Sequence, residues 1–500
     1  MDALTVLVFL LPPALATGLM LPMPLRRGAA VLAPLAPLPA LLLALAAPAG
    51  LTLDLPWLLL GSRFALDETG RLFLGFTALV WLIAGLYARA YLASDERRRG
   101  FWAFFLVTQG GNLGLCLAAD AASFYFLFAL MTFAAYGLVI HTRSNDARRA
   151  GRIYLVMAIL GETALVMGLL LRVDAAGSHY LAGAAAVPVP EAASWLLAAG
   201  FGVKVGLPLL HMWLPLAHPV APVPASAVLS GVMLKAGVLG WLRFLPLGHA
   251  APELGATLIV AGLGAAILGV AAGLMQRDAK VLLAYSSVSQ MGYLTLGVGA
   301  GLAAPQSWPL LLPAVCLYAL HHALAKSALF LGVGVAKACG GRAWVLAGMA
   351  LPALALAGAP FTSGMAAKLQ LKAALPALPG FELGAWLALA AVGTALLMTR
   401  LLLLLAAEVA HGGSWALALP WGALVVIGVT LPWVLVPALT AGALWAAAWP
   451  VGLALVFAAV GLRLGIKAPQ LPPGDLVVPL ERLRASRPGA GTRHAGPSTA

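Results

Sequence analysis

Four lysines stand in stretches whose other residues are apolar. Lys204, Lys235, Lys326 and Lys368 each interrupt a run of aliphatic and aromatic side chains, and Glu162 and His322 do the same. An ionisable group at the centre of a hydrocarbon layer costs about 3 kcal/mol or more, so such residues point to an ion path or a proton relay. Snorkelling explains a lysine near a helix end, but these four lie too deep in their segments for it. Desolvation favours a lysine's neutral amine and a nearby carboxylate favours its ammonium, so a Lys/Glu pair can load and release a proton. Histidine, with an ordinary pKa of about 6.5, can bridge such sites.

Two of the lysines lie beside predicted helix breaks. Lys204 precedes "GLP" (206–208) in "GFGVKVGLPLLHMWLPLAHP" (200–219), and Lys368 follows "AGAPFTSG" (357–364). Proline and glycine free backbone carbonyls at membrane depth, which is tolerated inside protein or along a hydrated cavity. His211 and His218, in the first break, either extend the route or hydrogen-bond those carbonyls. Paired breaks in two halves of a chain mark the ion path in transporters built from repeats.

The elements that must position these groups are transmembrane helices. Hydrophobic residues make up 62% of the 500 and charged residues 9%, against about 25% charged in a soluble domain. Apolar runs near 3–21, 29–47, 70–92, 101–119, 121–141, 151–171, 192–210, 222–245, 252–275, 280–301, 308–336, 344–374, 384–407, 417–438 and 440–463 are each long enough to span a bilayer. The fold expected is an all-α polytopic membrane protein of 14–15 spans. The alternation of a transmembrane barrel is absent. The two breaks are five spans apart, so their segments enter from opposite sides. That suits two inverted five-helix repeats, 101–245 and 252–411. They are flanked by three N-terminal helices (1–100), two C-terminal helices (417–465) and a basic, Pro/Gly/Ser-rich tail (466–500) expected to be disordered.

Lys and Arg outnumber Asp and Glu by 30 to 17. The basic clusters at 26–27, 95–99, 143–152, 276–280 and 337–342 all follow odd-numbered spans, while the alternate loops hold acidic residues. The positive-inside rule then puts the N-terminus outside and the tail in the cytoplasm, with basic loops setting topology and not binding nucleic acid. The first run lacks a basic n-region and a small-residue cleavage site, so it reads as a retained helix. Cys116, Cys316 and Cys339 are far apart and form no metal or iron–sulfur spacing. No phosphate loop or dinucleotide fingerprint follows a strand, so no cofactor, metal or catalytic chemistry is expected in this chain.

"FGVKVGLPLLHMWLPLAHPVAPVPASAVLSGVMLKAGVLGWLR" (201–243) resembles the signature of the antiporter-like membrane subunits of respiratory complex I. "RDAKVLLAYSSVSQMGYLTLG" (277–297), "LHHALAKSALFLGVG" (320–334) and "LAGAPFTSGMAAKLQL" (356–371) follow in that family's order, and the likeness covers about residues 60–440. The family also supplies subunits of multisubunit sodium/proton antiporters, membrane-bound hydrogenases and formate hydrogenlyases, and the membrane partner of an inorganic-carbon uptake complex. The resemblance implies a proton-translocating subunit of a larger complex in the bacterial inner membrane, with other membrane and peripheral subunits as partners. By position, Lys204 matches the central lysine of the first half-channel and Lys235 the lysine linking the half-channels. Lys326, with His322 beside it, matches the connecting lysine, and Lys368 the ionisable residue of the second half-channel. His211 and His218 fall on the family's H-x-W-L-P-x-A-H pattern.

The sequence departs from the family at one position. The family's fifth span carries a glutamate that modulates the central lysine, whereas "YFLFALMTFAAYGLV" has Ala129 there. Glu162, on the next span, lies at nearly the same depth, roughly 17–18 Å from the cytoplasmic end at 1.5 Å per residue. Glu162 is therefore the candidate replacement. The competing readings are a sodium/proton exchanger, an ion-coupled partner of carbon uptake or of a proton-pumping oxidoreductase, and a subunit that has lost conduction. Ala129 favours the last of these; four buried lysines and two breaks oppose it.

Overall fold

Each of the fifteen apolar stretches contains helix among the described residues. The computed structural model describes residues 1–48, 50–184, 187–376, 383–434, 440–466 and 469–474. Helix α1 (Asp2–Met20) is followed by α2 (Leu25–Leu32) and α3 (Leu38–Ala46), which share the second stretch around a 3₁₀ turn at Ala33–Leu35. A hairpin of β1 (Leu51–Leu55) and β2 (Ser62–Leu66) precedes α4 (Glu68–Tyr91), α5 (Arg98–Gly114), α6 (Ala121–Val139), α7 (Asn145–Ala176) and the single turn α8 (Leu181–Ala184). In the seventh stretch α9 (Glu191–Val205) ends at the break, and α10 (Trp213–Val220) follows just beyond the stretch. The eighth is α11 (Val223–Val228) and α12 (Leu234–Phe244), joined by a π-helical turn at Leu229–Met233. After α13 (Pro252–Leu274), α14 (Ala279–Ala303) and α15 (Trp308–Cys339), the twelfth stretch is split into α16 (Ala343–Ala357) and α17 (Ser363–Ala374). Helices α18 (Leu383–Ala406), α19 (Trp415–Val434) and α20 (Ala441–Arg463) complete the described chain, and the tail from residue 475 onward lies outside the described residues.

Ten helical segments among the described residues are long and apolar enough to cross a membrane, and the chain is an integral, multi-pass membrane protein. Buried α14 has the length too, but carries Ser286, Ser287, Ser289 and Gln290 inside the bundle. Helix starts follow side-chain chemistry: Asp67, Asp120, Ser144, Asp278 and Thr362 each accept a hydrogen bond from an amide in the turn they open. The core is centred on α15, whose apolar window is wholly buried, against 17% for α20 at the edge.

The loops sort to two ends as their charges require. Asp95 and His141 pair at 2.9 Å, and Arg97 donates to the Thr142 carbonyl, so the loops after α4 and α6 meet at the basic end. The opposite end is laced by the hairpin, which the helical reading of the sequence did not include. Its strands pair from Leu51–Leu66 to Leu55–Ser62, Phe64 bridges to Ala118, and the Arg63 amide donates to Asp120 at 2.8 Å. Arg243 of α12 binds the Asp67 carboxylate at the same end, with one contact at 2.7 Å.

Candidate functional site

Helices α7 and α9 touch through glycine. A Cβ on Gly161 would lie 3.1 Å from that of Val203 and 3.3 Å from the Gly200 carbonyl, so both helices need their small residues to approach this closely. The contact sets Glu162 facing Lys204. Both side chains are buried, 5% and 6% exposed, and both line a cavity of about 20 Å³ with Phe128, Thr132, Tyr154 and Trp213. That volume exceeds the ~10–15 Å³ one water needs. The Lys204 ammonium sits 5.5, 5.7 and 5.9 Å from the ring centres of Phe128, Tyr154 and Trp213, an arrangement in which each aromatic face offsets part of the desolvation of the cation. The charges of Lys204 and Glu162 act on each other across the cavity, and Glu162 Oε2 has no hydrogen-bond partner among the described residues. No side chain of α6 places a carboxylate here; its contributions to the wall are Phe128 and Thr132.

The two helix breaks have the same local geometry. At the first, Gly206 takes a left-handed φ of 84° and Leu209, three residues on, 70°; at the second, Gly358 takes 85° and Phe361 62°. The amides of Gly206 and Leu207 both donate to the Gly202 carbonyl, and those of Gly358 and Ala359 both donate to Leu354. The sequences, "GLPL" and "GAPF", share the glycine and the proline that force this turn. What satisfies the freed carbonyls differs. The Trp213 indole donates to Val203 at 2.9 Å in the first break. Lys368 Nζ donates to Leu356 and Ala357 at 3.0 and 2.9 Å in the second, a cation on the negative end of α16.

Between the breaks, Lys235 and Lys326 are fully buried. Lys235 Nζ reaches back across the π-helical turn to the Ser230 carbonyl at 2.7 Å, and Lys326 Nζ donates to the Leu283 carbonyl at 2.8 Å. Ser230 Oγ and Ser287 Oγ are 2.7 Å apart, and Ser287 Oγ donates to the same Leu283 carbonyl at 3.0 Å. One polar chain thus joins the two lysines through α14. The charges of both also act on His322, whose ring nitrogens have no hydrogen-bond partner among the described residues. Its neighbour His321 bonds Ser363 at the start of α17 through Nδ1, at 2.8 Å, and feels the Lys368 charge. Lys368, half-buried, lies 5.4 Å over the Tyr293 ring; Tyr293 stacks on Tyr318, whose hydroxyl donates to Gln290 at 2.8 Å.

The structure therefore brings together Glu162 with Lys204, and Lys235 with His322 and Lys326. His211 packs near Tyr285 (ring centres 6.2 Å apart), and His218 stacks on Phe330 at 4.6 Å, its ring nitrogens without a hydrogen-bond partner among the described residues. Buried Lys280, its Nζ 2.6 Å from the Ala221 carbonyl, is a further cation of the row, as are His321 and the serine pair among its uncharged members. Sequence reasoning missed all of these: "QRDAK" looks like a loop of topogenic charges, and buried serines carry no pattern. The histidine doublet was the one visible signal. Among the described residues no group of His, Cys, Asp and Glu could hold a metal ion, and the three cysteines are unpaired and buried.

Comparison with known proteins bears on this row. The family model described as NADH:quinone oxidoreductase/Mrp antiporter, TM, matches residues 118–399. Hydrogenase-4 component B of Escherichia coli K12 is 34% identical over 51% of this chain and 40% of its own. NADH-quinone oxidoreductase subunit N of Desulforudis audaxviator is 32% identical over 56% of each. The chain thus spans about half the length of such curated relatives. In fold it is similar to a chain of the Mrp complex from Dietzia sp. DQ12-45-1b, with a TM-score of 0.77 and 23% identity over 98% of this chain and 60% of that one. It is also similar to a chain of an archaeal membrane-bound sulfane sulfur reductase, with a TM-score of 0.71 and 19% identity over 92% and 98%.

Proposed function

The chain belongs to the NADH:quinone oxidoreductase/Mrp antiporter membrane family, and on that premise we propose that it carries protons across the bilayer as one subunit of a larger complex. The observation that carries the reading is the placement of Lys204 and Glu162 on one buried cavity. A carboxylate beside a caged ammonium holds the proton on the lysine. Withdrawing that carboxylate's charge releases the proton.

The route runs from Glu162 and Lys204 to Lys235, through the Ser230 and Ser287 hydroxyls to Lys326, and by His322 and His321 to Lys368. Amines, imidazoles and hydroxyls can each accept and pass on a proton, whereas the intervening carbonyls hold the donors in place. His211, His218 and Lys280 flank the path at the first break. The matching backbone of the two breaks supports two inverted five-helix repeats over 101–245 and 252–411, each supplying a half-channel. The basic loops support a cytoplasmic location for their end of the bundle, in a bacterial inner membrane.

The test begins with purification in mild detergent and mass spectrometry of the chains that co-purify. The complex is then reconstituted in liposomes carrying an internal pH dye. Proton flux is the expected result, and Lys204→Ala and Lys326→Met should each abolish it. Sodium flux without a change in pH would replace the proton with sodium. A chain that purifies alone and conducts nothing would make it a scaffold, and a co-purifying carbon-uptake enzyme would change what the flux serves.

A further inference from the structure

Arg26, Arg27, Arg89, Arg98 and Arg99 converge on one pocket of about 430 Å³ at the basic end, away from the lysine row. They come from three elements: α2 supplies the first two, the last turn of α4 the third, and the first turn of α5 the last two, while the end of α1 closes the side. No carboxylate lines the pocket among the described residues. Asp95, in the adjoining loop, is held by His141 instead.

The arginines of α5 are placed against its dipole. Arg98 and Arg99 occupy the positive end of the helix, its first turn has no acidic residue, and its N-cap makes no side-chain hydrogen bond. Such an end favours an anion. The other walls are apolar: Leu19, Met23, Val31 and Trp102 line the same pocket, and Met23 and Val31 are exposed to the surrounding medium. A site with guanidiniums on one side and an apolar wall on the other, at the level where spans end, has the two halves of a phospholipid. Guanidinium pairs bind phosphate oxygens bidentately, and Trp102 belongs to the residue type that settles at headgroup depth.

We propose that this pocket binds an anionic phospholipid of the inner leaflet, its phosphate on Arg26, Arg27, Arg98 and Arg99 and an acyl chain along Met23 and Val31. Five cations exceed what one phosphate needs, so a two-phosphate headgroup such as cardiolipin's fits best. The lipid would fasten α1 and α2 to α4 and α5 at the edge of the bundle.

The test uses the purified complex, delipidated in detergent and titrated separately with cardiolipin, with phosphatidylcholine and with inorganic phosphate. Bound lipid is read by native mass spectrometry and stabilisation by the thermal midpoint. Cardiolipin should bind at least tenfold more tightly than phosphatidylcholine. The combined variant R26Q/R27Q/R98Q/R99Q should lose that preference, while R148Q/R152Q, at the same end but outside the pocket, should keep it. The four-lysine counterpart should recover part of the binding, which separates loss of charge from misfolding. Equal cardiolipin binding by wild type and the four-glutamine variant would overturn the proposal. So would full stabilisation by inorganic phosphate with no lipid preference, or loss of a co-purifying subunit with cardiolipin retained.

Discussion

Ser230 of the π-helical turn and Ser287 of α14 meet hydroxyl to hydroxyl at 2.7 Å, in the hydrogen-bonded chain that links Lys235 and Lys326. The lysines bond to carbonyls at either end of this contact, so the serines are the only exchangeable groups in the hydrogen-bonded chain between them among the described residues. A π-helical turn closes its hydrogen bonds one residue further along the chain than an α-helix does, and such turns gather at functional sites. Here it aims the Ser230 carbonyl at Lys235 and its hydroxyl at α14.

Ser287→Ala removes the link and leaves both lysines. Leaving the buried Ser230 hydroxyl without this partner costs about 1–3 kcal/mol, and the protein should still fold and assemble. Proton flux in liposomes should fall at least fivefold, and Ser287→Thr, which retains the hydroxyl, should recover most of it. Unchanged flux in the alanine variant would remove the serines from the path.

Trp213→Phe keeps an aromatic wall beside Lys204 but withdraws the indole hydrogen from the Val203 carbonyl. An orphaned buried carbonyl costs about 1–3 kcal/mol. The thermal midpoint should fall, and more than for Trp195→Phe, whose indole bonds at the exposed surface. Equal midpoints would mean that the break does not depend on this tie.

Asp67 supplies a pH dependence outside the membrane. Burial alone would push its carboxyl up, but the hydrogen bonds and charge of Arg243 and the Gly70 amide outweigh it and hold the carboxyl below its ordinary value. A carboxylate lowered by folding contributes stability above its unfolded value of about 4, and that contribution is lost as pH falls through the folded value. The Asp67 side chain is half exposed, so the pair contributes about 1 kcal/mol or less. Asp67→Asn should therefore lower the thermal midpoint at pH 7, and the difference from wild type should close as the pH is taken below about 4. A gap that persisted in acid would assign the effect to helix capping alone.

Much of this was legible from particular residues. Apolar runs bounded by charge gave the fifteen helical stretches, because bilayer thickness fixes the length each must have. "GLP" and "AGAPF" located both breaks, since glycine and proline dictate the turn on their own. Glu162 became the candidate partner of Lys204 through the family resemblance, which implies a carboxylate at position 129, and through equal depth counted along the helices of Ala129 and Glu162. The hairpin escaped because ten short-range residues of mixed polarity look like a loop until they pair with 118–120. The π-helical turn escaped because "LSGVM" reads as ordinary helix, and its register is set by packing against α15. Lys280 was lost among loop charges: only the tertiary fold turns its first-turn side chain inward to Ala221.

The measurement that bears most directly on the central claim is proton flux through the reconstituted complex with Glu162→Gln, Lys204→Ala and the two combined. If Glu162 is the carboxylate that governs Lys204, each single variant brings flux to background and the double variant is no worse than either. Wild-type flux in Glu162→Gln beside complete loss in Lys204→Ala would contradict the account.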